Sequence, residues 1–252
     1  MNSKKVICLL FAAILLLTGC SEKAPTRATE PPEATAPSPS SAEAQLQLIF
    51  NQMDTWTVPS EGASEVYHYA VTDLDRNGRL EIIAASTQGT GIYTYGKVFE
   101  VSEDFASIQE CETPCMQDLD LPEIIMDFVP AAYDQDSGGY DYLFTNDTRN
   151  GAAEHYQSIV AVRLQSGVLA CTTLANSVDL WIDEGQEEHS YAIPSGDGFQ
   201  EVSAGQYSSV ISEYQSERQG FTANFEWFTF DNEVTESVLS SSWNVFRSSW
   251  DT

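Results

Sequence analysis

The sequence predicts an α+β domain made mainly of antiparallel β meanders, with an N-terminal helix, a helix near residues 203–217 and a C-terminal helix. Three observations carry this. Apolar side chains alternate with polar ones over 67–72 and again over 220–230, the period of a half-buried strand. Turn pairs such as Asn77–Gly78, Asn150–Gly151 and Ser166–Gly167 separate such runs. Apolar residues recur at helical spacing in the stretches 40–56, 202–217 and 239–250.

From the N-terminus, Lys4 and Lys5 precede the apolar run "VICLLFAAILLL" (6–17). That run is short of the roughly 20 residues needed to span a bilayer and reads as a processing signal. It ends in "LTGC" (17–20): an aliphatic residue, two small residues and a cysteine. This resembles the lipobox of bacterial lipoproteins. The resemblance implies that 1–19 are a signal peptide removed before Cys20 and that Cys20 carries the lipid. The expected location is the extracytoplasmic face of the cell membrane, with the anchor on Cys20 as the membrane partner.

Residues 20–44 then form the tether. Pro25, Pro31, Pro32, Pro37 and Pro39 stiffen it, and it holds no large apolar residue to offset the entropy of ordering. Proline density favours an extended chain of about 3.1 Å per residue. Residues 45–252 are expected to make one extracytoplasmic domain. The formal net charge of −27 excludes nucleic acid and anionic lipid as electrostatic partners and favours divalent cations.

Within that domain, "SSAEAQLQLIFNQMDTW" (40–56) starts with a capping box of Ser40 and Glu43 and puts Leu46, Ile49, Phe50 and Met53 on one face. Strands follow at 67–72 and 80–86, and a hairpin over 96–110 turns near Glu103 and Asp104. "DLDLPEII" (118–125) echoes the earlier acidic loop without its Asn-Gly turn and is expected to bind nothing. Residues 139–147 make a strand, and 154–175 a hairpin turning at Ser166 and Gly167. Ser203 and Gln206 form a second capping box, with Tyr207, Val210, Ile211 and Tyr214 on one face. "GFTANFEWFTF" (220–230) reads as one strand. Leu239, Trp243, Phe246 and Trp250 make a stripe expected to be core rather than a carbohydrate platform.

The stretch "TDLDRNGRLEII" (72–83) carries the chemistry. Asp73, Asp75 and Asn77 fall at positions one, three and five of a calcium loop, and Gly78 at position six, where the chain must turn sharply. Position twelve, which is a bidentate glutamate in an EF-hand, is Ala84, and the flanks alternate as strands. The pattern therefore resembles the β-hairpin calcium loops of FG-GAP and VCBS-type repeats. That resemblance implies Asp73, Asp75, Asn77, the carbonyl of Arg79 and Glu81 as ligands of a structural Ca2+. "YAVTDLDRNGRLEIIAAS" (69–86) and "TRNGAAEHYQSIVAVRLQSG" (148–167) also resemble uncharacterised Firmicutes lipoproteins. The competing reading is a metal-free acidic turn, since Asn-Gly forms turns without an ion. "DQDSGGYDY" (134–142) has Asp134 and Asp136 but lacks ligands at positions five and nine, Gly138 and Tyr142.

"CETPC" places Cys111 and Cys115 around a short loop, where a bridge contributes about 2 kcal/mol at most. Cys171 is then left over, or pairs with one of the two instead. No histidine lies at zinc-ligand spacing from them.

No catalytic residue emerges. His68, His155 and His189 belong to no metalloprotease helix motif, no serine sits in a Gly-x-Ser-x-Gly elbow, and "GTGIYTYG" (89–96) does not open a helix. The expectation is a tethered lipoprotein with a calcium-stabilised domain that binds an unidentified protein or glycan and does not turn it over. The alternative is an exported hydrolase, or its accessory subunit, acting on cell-wall or dietary glycan.

Overall fold

Ser41 opens the first helix in the computed structural model of the chain, which describes residues 37–59, 66–88, 93–114, 124–148, 153–183, 186–230 and 233–250. The expected signal peptide, the lipidation residue Cys20, the tether up to 36, Cys115 and most of the 118–125 echo lie outside the described residues. Helix α1 (Ala42–Asn51) is capped by the Ser41 hydroxyl, which accepts the Ala44 N–H at 3.2 Å. The cap is thus one residue later than the expected Ser40, and the helix takes up the last residues assigned to the tether. After a break at Gln52 it resumes as α2 (Met53–Trp56). Leu46 and Ile49 are buried as the spacing predicts, with Phe50 and Met53 packed at the margin of the core.

The strands are β1 (Tyr67–Thr72), β2 (Glu81–Gln88), β3 (Tyr93–Val101), β4 (Ile108–Glu110), β5 (Phe128–Asp134), β6 (Gly139–Thr148), β7 (Glu154–Gln165), β8 (Val168–Asp183), β9 (Gln186–Ser195) and β10 (Gly198–Glu201). Helix α3 (Ala204–Ser216), β11 (Gln219–Asn224), β12 (Phe228–Thr229) and α4 (Glu236–Ser248) follow. They form two antiparallel sheets, ordered β12-β1-β2-β3-β4 and β10-β9-β8-β7-β6-β5-β11. The fold is α+β with antiparallel meanders. The β7–β8 hairpin turns where expected: Ser166 and Gly167 both have positive φ, 52° and 75°, the twist that matches two antiparallel strands.

The inner faces supply the core. Leu74, Ile83 and Val98 from the first sheet's side meet Tyr142, Phe144 and Val162 of the second around a void of about 20 Å³, room for roughly one water. The single strand expected over 220–230 is two. β11 joins the second sheet beside β5, and β12 joins the first beside β1. Between them the Asn224 N–H donates to Ser249 Oγ at 2.7 Å and the Phe225 N–H to the Asp127 carbonyl at 2.8 Å, while the Phe225 ring is buried. Alternation persists through the bend because rings are needed inside on both sides of it.

Helix α4 lays Leu239, Trp243 and Phe246 into the core, and Ser242 accepts the Val71 N–H at 2.9 Å. The aromatic stripe is core, with Trp250 just beyond the helix. Helix α3 has its complete Ser203–Gln206 capping box but buries no side chain fully. It holds to the second sheet through tyrosine hydroxyls, Tyr207 to Gln157 at 3.1 Å and Tyr214 to Asp141 at 2.7 Å. Strands β9 and β10 escaped the sequence reading because they are largely exposed and show no apolar alternation.

A Cys111–Cys115 bridge is not formed. Cys111 is a buried free thiol beside β4, pushed up to about 12 chiefly by burial. Cys171 is the disulfide-bonded cysteine, with a partner outside the described residues. The short loop was the attractive pairing by sequence, but the Cys111 N–H is spent on the Val98 carbonyl, which keeps its side chain with the core.

Candidate metal centre

The connection from β1 to β2 is built as a cup. Arg76 and Gly78 take positive φ, 54° and 85°. The turn closes on its own side chains: Asp73 Oδ2 accepts the Gly78 N–H at 3.1 Å, and Asp75 Oδ1 accepts the Asn77 N–H at 3.2 Å. Gln45 of α1 reaches across to brace the exit, donating to the Gly78 carbonyl and accepting the Leu80 N–H, both at 2.8 Å. From the other sheet, the Tyr142 hydroxyl donates to the Leu74 carbonyl at 2.9 Å. A flexible acidic turn is thereby held from two sides.

Asp73, Asp75 and Glu81 each turn a carboxylate oxygen into this cup, within 4.8 Å of one another. Asp73 is only 2% exposed and Glu81 is fully buried. One Glu81 oxygen, Oε2, accepts from the Thr72 hydroxyl at 2.9 Å and the Leu74 N–H at 2.8 Å. The other, Oε1, is buried with no donor among the described residues, and so is Asp73 Oδ1. Such orphaned oxygens are costly in an apolar setting. Burial first, then the Asp75 charge, pushes the Asp73 carboxyl up to about 7. Burial and the Asp73 charge raise Glu81 well above the usual range, and burial raises Asp75. The triad is therefore frustrated as three anions. A bound cation would relieve both the repulsion and the missing donors, so these residues can hold a metal ion.

The side chains at the other two expected ligand positions, Asn77 and Arg79, also make contacts within the protein. Asn77 Oδ1 accepts the Arg79 N–H at 2.7 Å, and its amide nitrogen donates to Asp75 and Glu100. The Arg79 guanidinium pairs with Glu100 at 2.9 Å. Asn77 and Arg79 thus brace the cup's outer wall. Sequence spacing missed Glu100 and Gln45. Glu100 lies directly across from Glu81 in the β2–β3 register and is buried; its one local signal is an acid set between Phe99 and Val101. Gln45 has no local signal, being brought in by the packing of α1.

The second acidic turn is closed by protein donors. Asp134 accepts from the Ser137 hydroxyl at 2.7 Å and lies 3.3 Å from the Arg163 guanidinium. These contacts, the serine first, hold its carboxyl down at about 2. Two histidines that sequence kept apart meet on the second sheet. His155, Asp179 and His189 stand in register across β7, β8 and β9. The Nδ1 atoms of His155 and His189 lie 3.1 and 2.7 Å from the two Asp179 oxygens. Hydrogen bonding from His189 leads in holding Asp179 below the usual carboxylate range, and Asp179 raises His189.

No family model and no curated protein matches the sequence. A solved structure, described as "Structure of a Xanthomonas Type IV Secretion System related protein", aligns with a TM-score of 0.33 at 11% identity, over 60% of this chain and 62% of that one. The chain therefore spans less than two thirds of that protein, and a likeness this low carries no reading of function.

Proposed function

We propose that the chain is a lipoprotein held to the extracytoplasmic face of the cell membrane through Cys20, with a calcium-stabilised β-rich domain that binds a ligand or partner without turning it over. The observation that carries the metal reading is the pair of buried, donorless oxygens, Asp73 Oδ1 and Glu81 Oε1, in one cup. An all-oxygen donor set suits a hard cation, whereas zinc favours nitrogen and sulfur. Calcium accepts six to eight oxygens in irregular geometry, so carbonyls and water can complete the shell, while magnesium demands a near-ideal octahedron. The lipobox and tether support the anchor, and the disulfide-bonded Cys171 agrees with an oxidising compartment.

Extracellular calcium modules bind in roughly the 10⁻⁴–10⁻³ M range. With about 1 mM calcium and a dissociation constant of about 0.1 mM, linkage adds ~1.4 kcal/mol, or about 3–6 °C in melting temperature for a chain of this size. That magnitude stiffens a hairpin and does not drive a large rearrangement. Melting the full chain in detergent with calcium and then with chelator tests the metal: an upward shift, lost in Asp75→Ala, is expected. Screening cell-wall and dietary glycans for binding and for turnover tests the rest. Binding without turnover is the expected result; hydrolysis would establish the exported hydrolase instead.

A further inference from the structure

The other side of the metal loop faces a cleft of about 400 Å³, lined in part by Arg76, Tyr133, Tyr140, Gln219, Phe221 and Trp250. That volume lies within the roughly 300–1,000 Å³ range of small-molecule sites. Arg76 is the residue between Asp75 and Asn77; it has a positive φ of 54°, and its side chain lines the cleft. Its guanidinium carbon stands 4.2 Å from the Tyr140 ring centroid, 4.8 Å from Phe221 and 5.2 Å from Trp250. Stacking of this kind occupies the faces of a guanidinium and leaves its N–H groups to point along its edge.

At the Nε edge no acceptor is found among the described residues. Arg76 Nε is buried without a hydrogen-bond partner, and so is the indole Nε1 of Trp250 in the same cleft. Two unpartnered donors on residues that line one cleft, one of them on a permanent cation, call for an acceptor, and an anionic one suits the cation. A carboxylate matches, since it accepts from a guanidinium fork and has a lone pair left for an indole N–H. Tyr133, Tyr140 and Gln219 also line the cleft, and they carry two phenol rings with their hydroxyls and an amide. Ring faces cover the C–H surface of a sugar, and hydroxyls and amide serve its hydroxyl groups.

We propose that this cleft binds the carboxylate-bearing ring of an acidic sugar of the uronic type, with Arg76 and Trp250 as donors to the carboxylate. The inference rests on the ligand-binding reading above and names its site and ligand class; it does not depend on the identity of the metal. Because Arg76 is part of the loop, an ion in the cup would order the loop and with it the guanidinium.

Calorimetric titration of the full chain in detergent and calcium tests this, with D-glucuronate and D-galacturonate as probes and D-glucose and acetate as controls. A uronate is expected to bind at least about tenfold more tightly than either control, since only it supplies both the carboxylate and the ring. Arg76→Gln should weaken it at least about tenfold, and Trp250→Phe, which keeps a ring and drops the N–H, several-fold. Melting curves establish that each variant is folded, and the calcium shift should persist in both. Equal binding of glucose and uronate, an Arg76→Gln variant with unchanged affinity, or no heat from either uronate would overturn the proposal. A calcium shift that persists beside such a failure leaves the metal reading standing. Glycan binding indifferent to Arg76→Gln would leave the ligand-binding reading standing while removing this site.

Discussion

Thr72, Glu81 and Glu100 stand in register across β1, β2 and β3, as His155, Asp179 and His189 do across β7, β8 and β9. Both rows cross the middle strand of three at an acid. On the second sheet that acid lies between two bases on a half-open surface, each of its oxygens is occupied, and the row is complete within the chain. On the first sheet the acid is fully buried, has a second acid as its neighbour in register, and converges with two aspartates. Glu100 pairs with a cation there, Arg79. One row therefore satisfies itself, and the other leaves a charge and two oxygens unsatisfied among the described residues. Net acidity, a property of the whole chain, does not separate them; burial and the neighbour in register do.

The largest effect that separates the rows is expected from Glu81→Ala. It leaves the Leu74 N–H and the Thr72 hydroxyl without their acceptor in the core, at roughly 1–3 kcal/mol for each orphan. Denaturant unfolding should show a loss of about 2–6 kcal/mol and no response to calcium. Glu81→Gln keeps an acceptor and removes the charge, so in chelator it should be as stable as the parent or more so, again without a calcium shift. A preserved shift in Glu81→Gln would take that residue out of the metal account.

Gln45→Ala should cost about 1–3 kcal/mol by unfolding, because the buried Leu80 N–H loses its acceptor. Calcium affinity should weaken several-fold although no carboxylate has been touched. Unchanged affinity would mean that the brace from α1 does not shape the cup.

The pH dependence is smaller and has a definite sign. Asp73 is raised to about 7 in the folded chain, against about 3.9 when unfolded. The folded state holds the extra proton over that window, so metal-free stability should fall as pH rises from about 4 to about 7. Calcium replaces the proton, so its affinity should rise over the same window and its stabilisation should be greatest at the upper end. Melting temperatures in chelator that stay flat between those pH values would contradict the buried-acid account. The histidine row falls in the same direction, because the raised His189 contributes most below about 6.5 and loses that contribution as pH passes its folded value. Asp179→Asn separates the two. The smallest effect is expected there: the NMR titration midpoint of His189 should drop towards its ordinary value, with little change in stability and none in calcium affinity.

The parts of this contrast were unequally legible in the sequence. Asp73, Asp75 and Glu81 announce themselves because local spacing and a glycine place ligands within one turn. The strand flanks of the loop were also readable, and Ala84 in place of a twelfth-position acid ruled out the helical alternative. Glu100, Gln45 and the histidine row were not readable, because register between strands and the approach of a helix set them, and neither leaves a local period. The bend at Phe225 was hidden for a related reason, since alternation continues unbroken while the chain changes sheets. Strands β9 and β10 are too exposed to show an apolar face. In Cys111 the short spacing to a second cysteine misled, where burial decided the outcome.

The most direct test of the central claim is a calorimetric titration of calcium into the full chain in detergent at about neutral pH. A single saturable site per chain with a dissociation constant in the range of roughly 10⁻⁴–10⁻³ M, abolished by Glu81→Gln and retained in Asp179→Asn, is the predicted result. No saturable heat, or binding that survives Glu81→Gln, would contradict it.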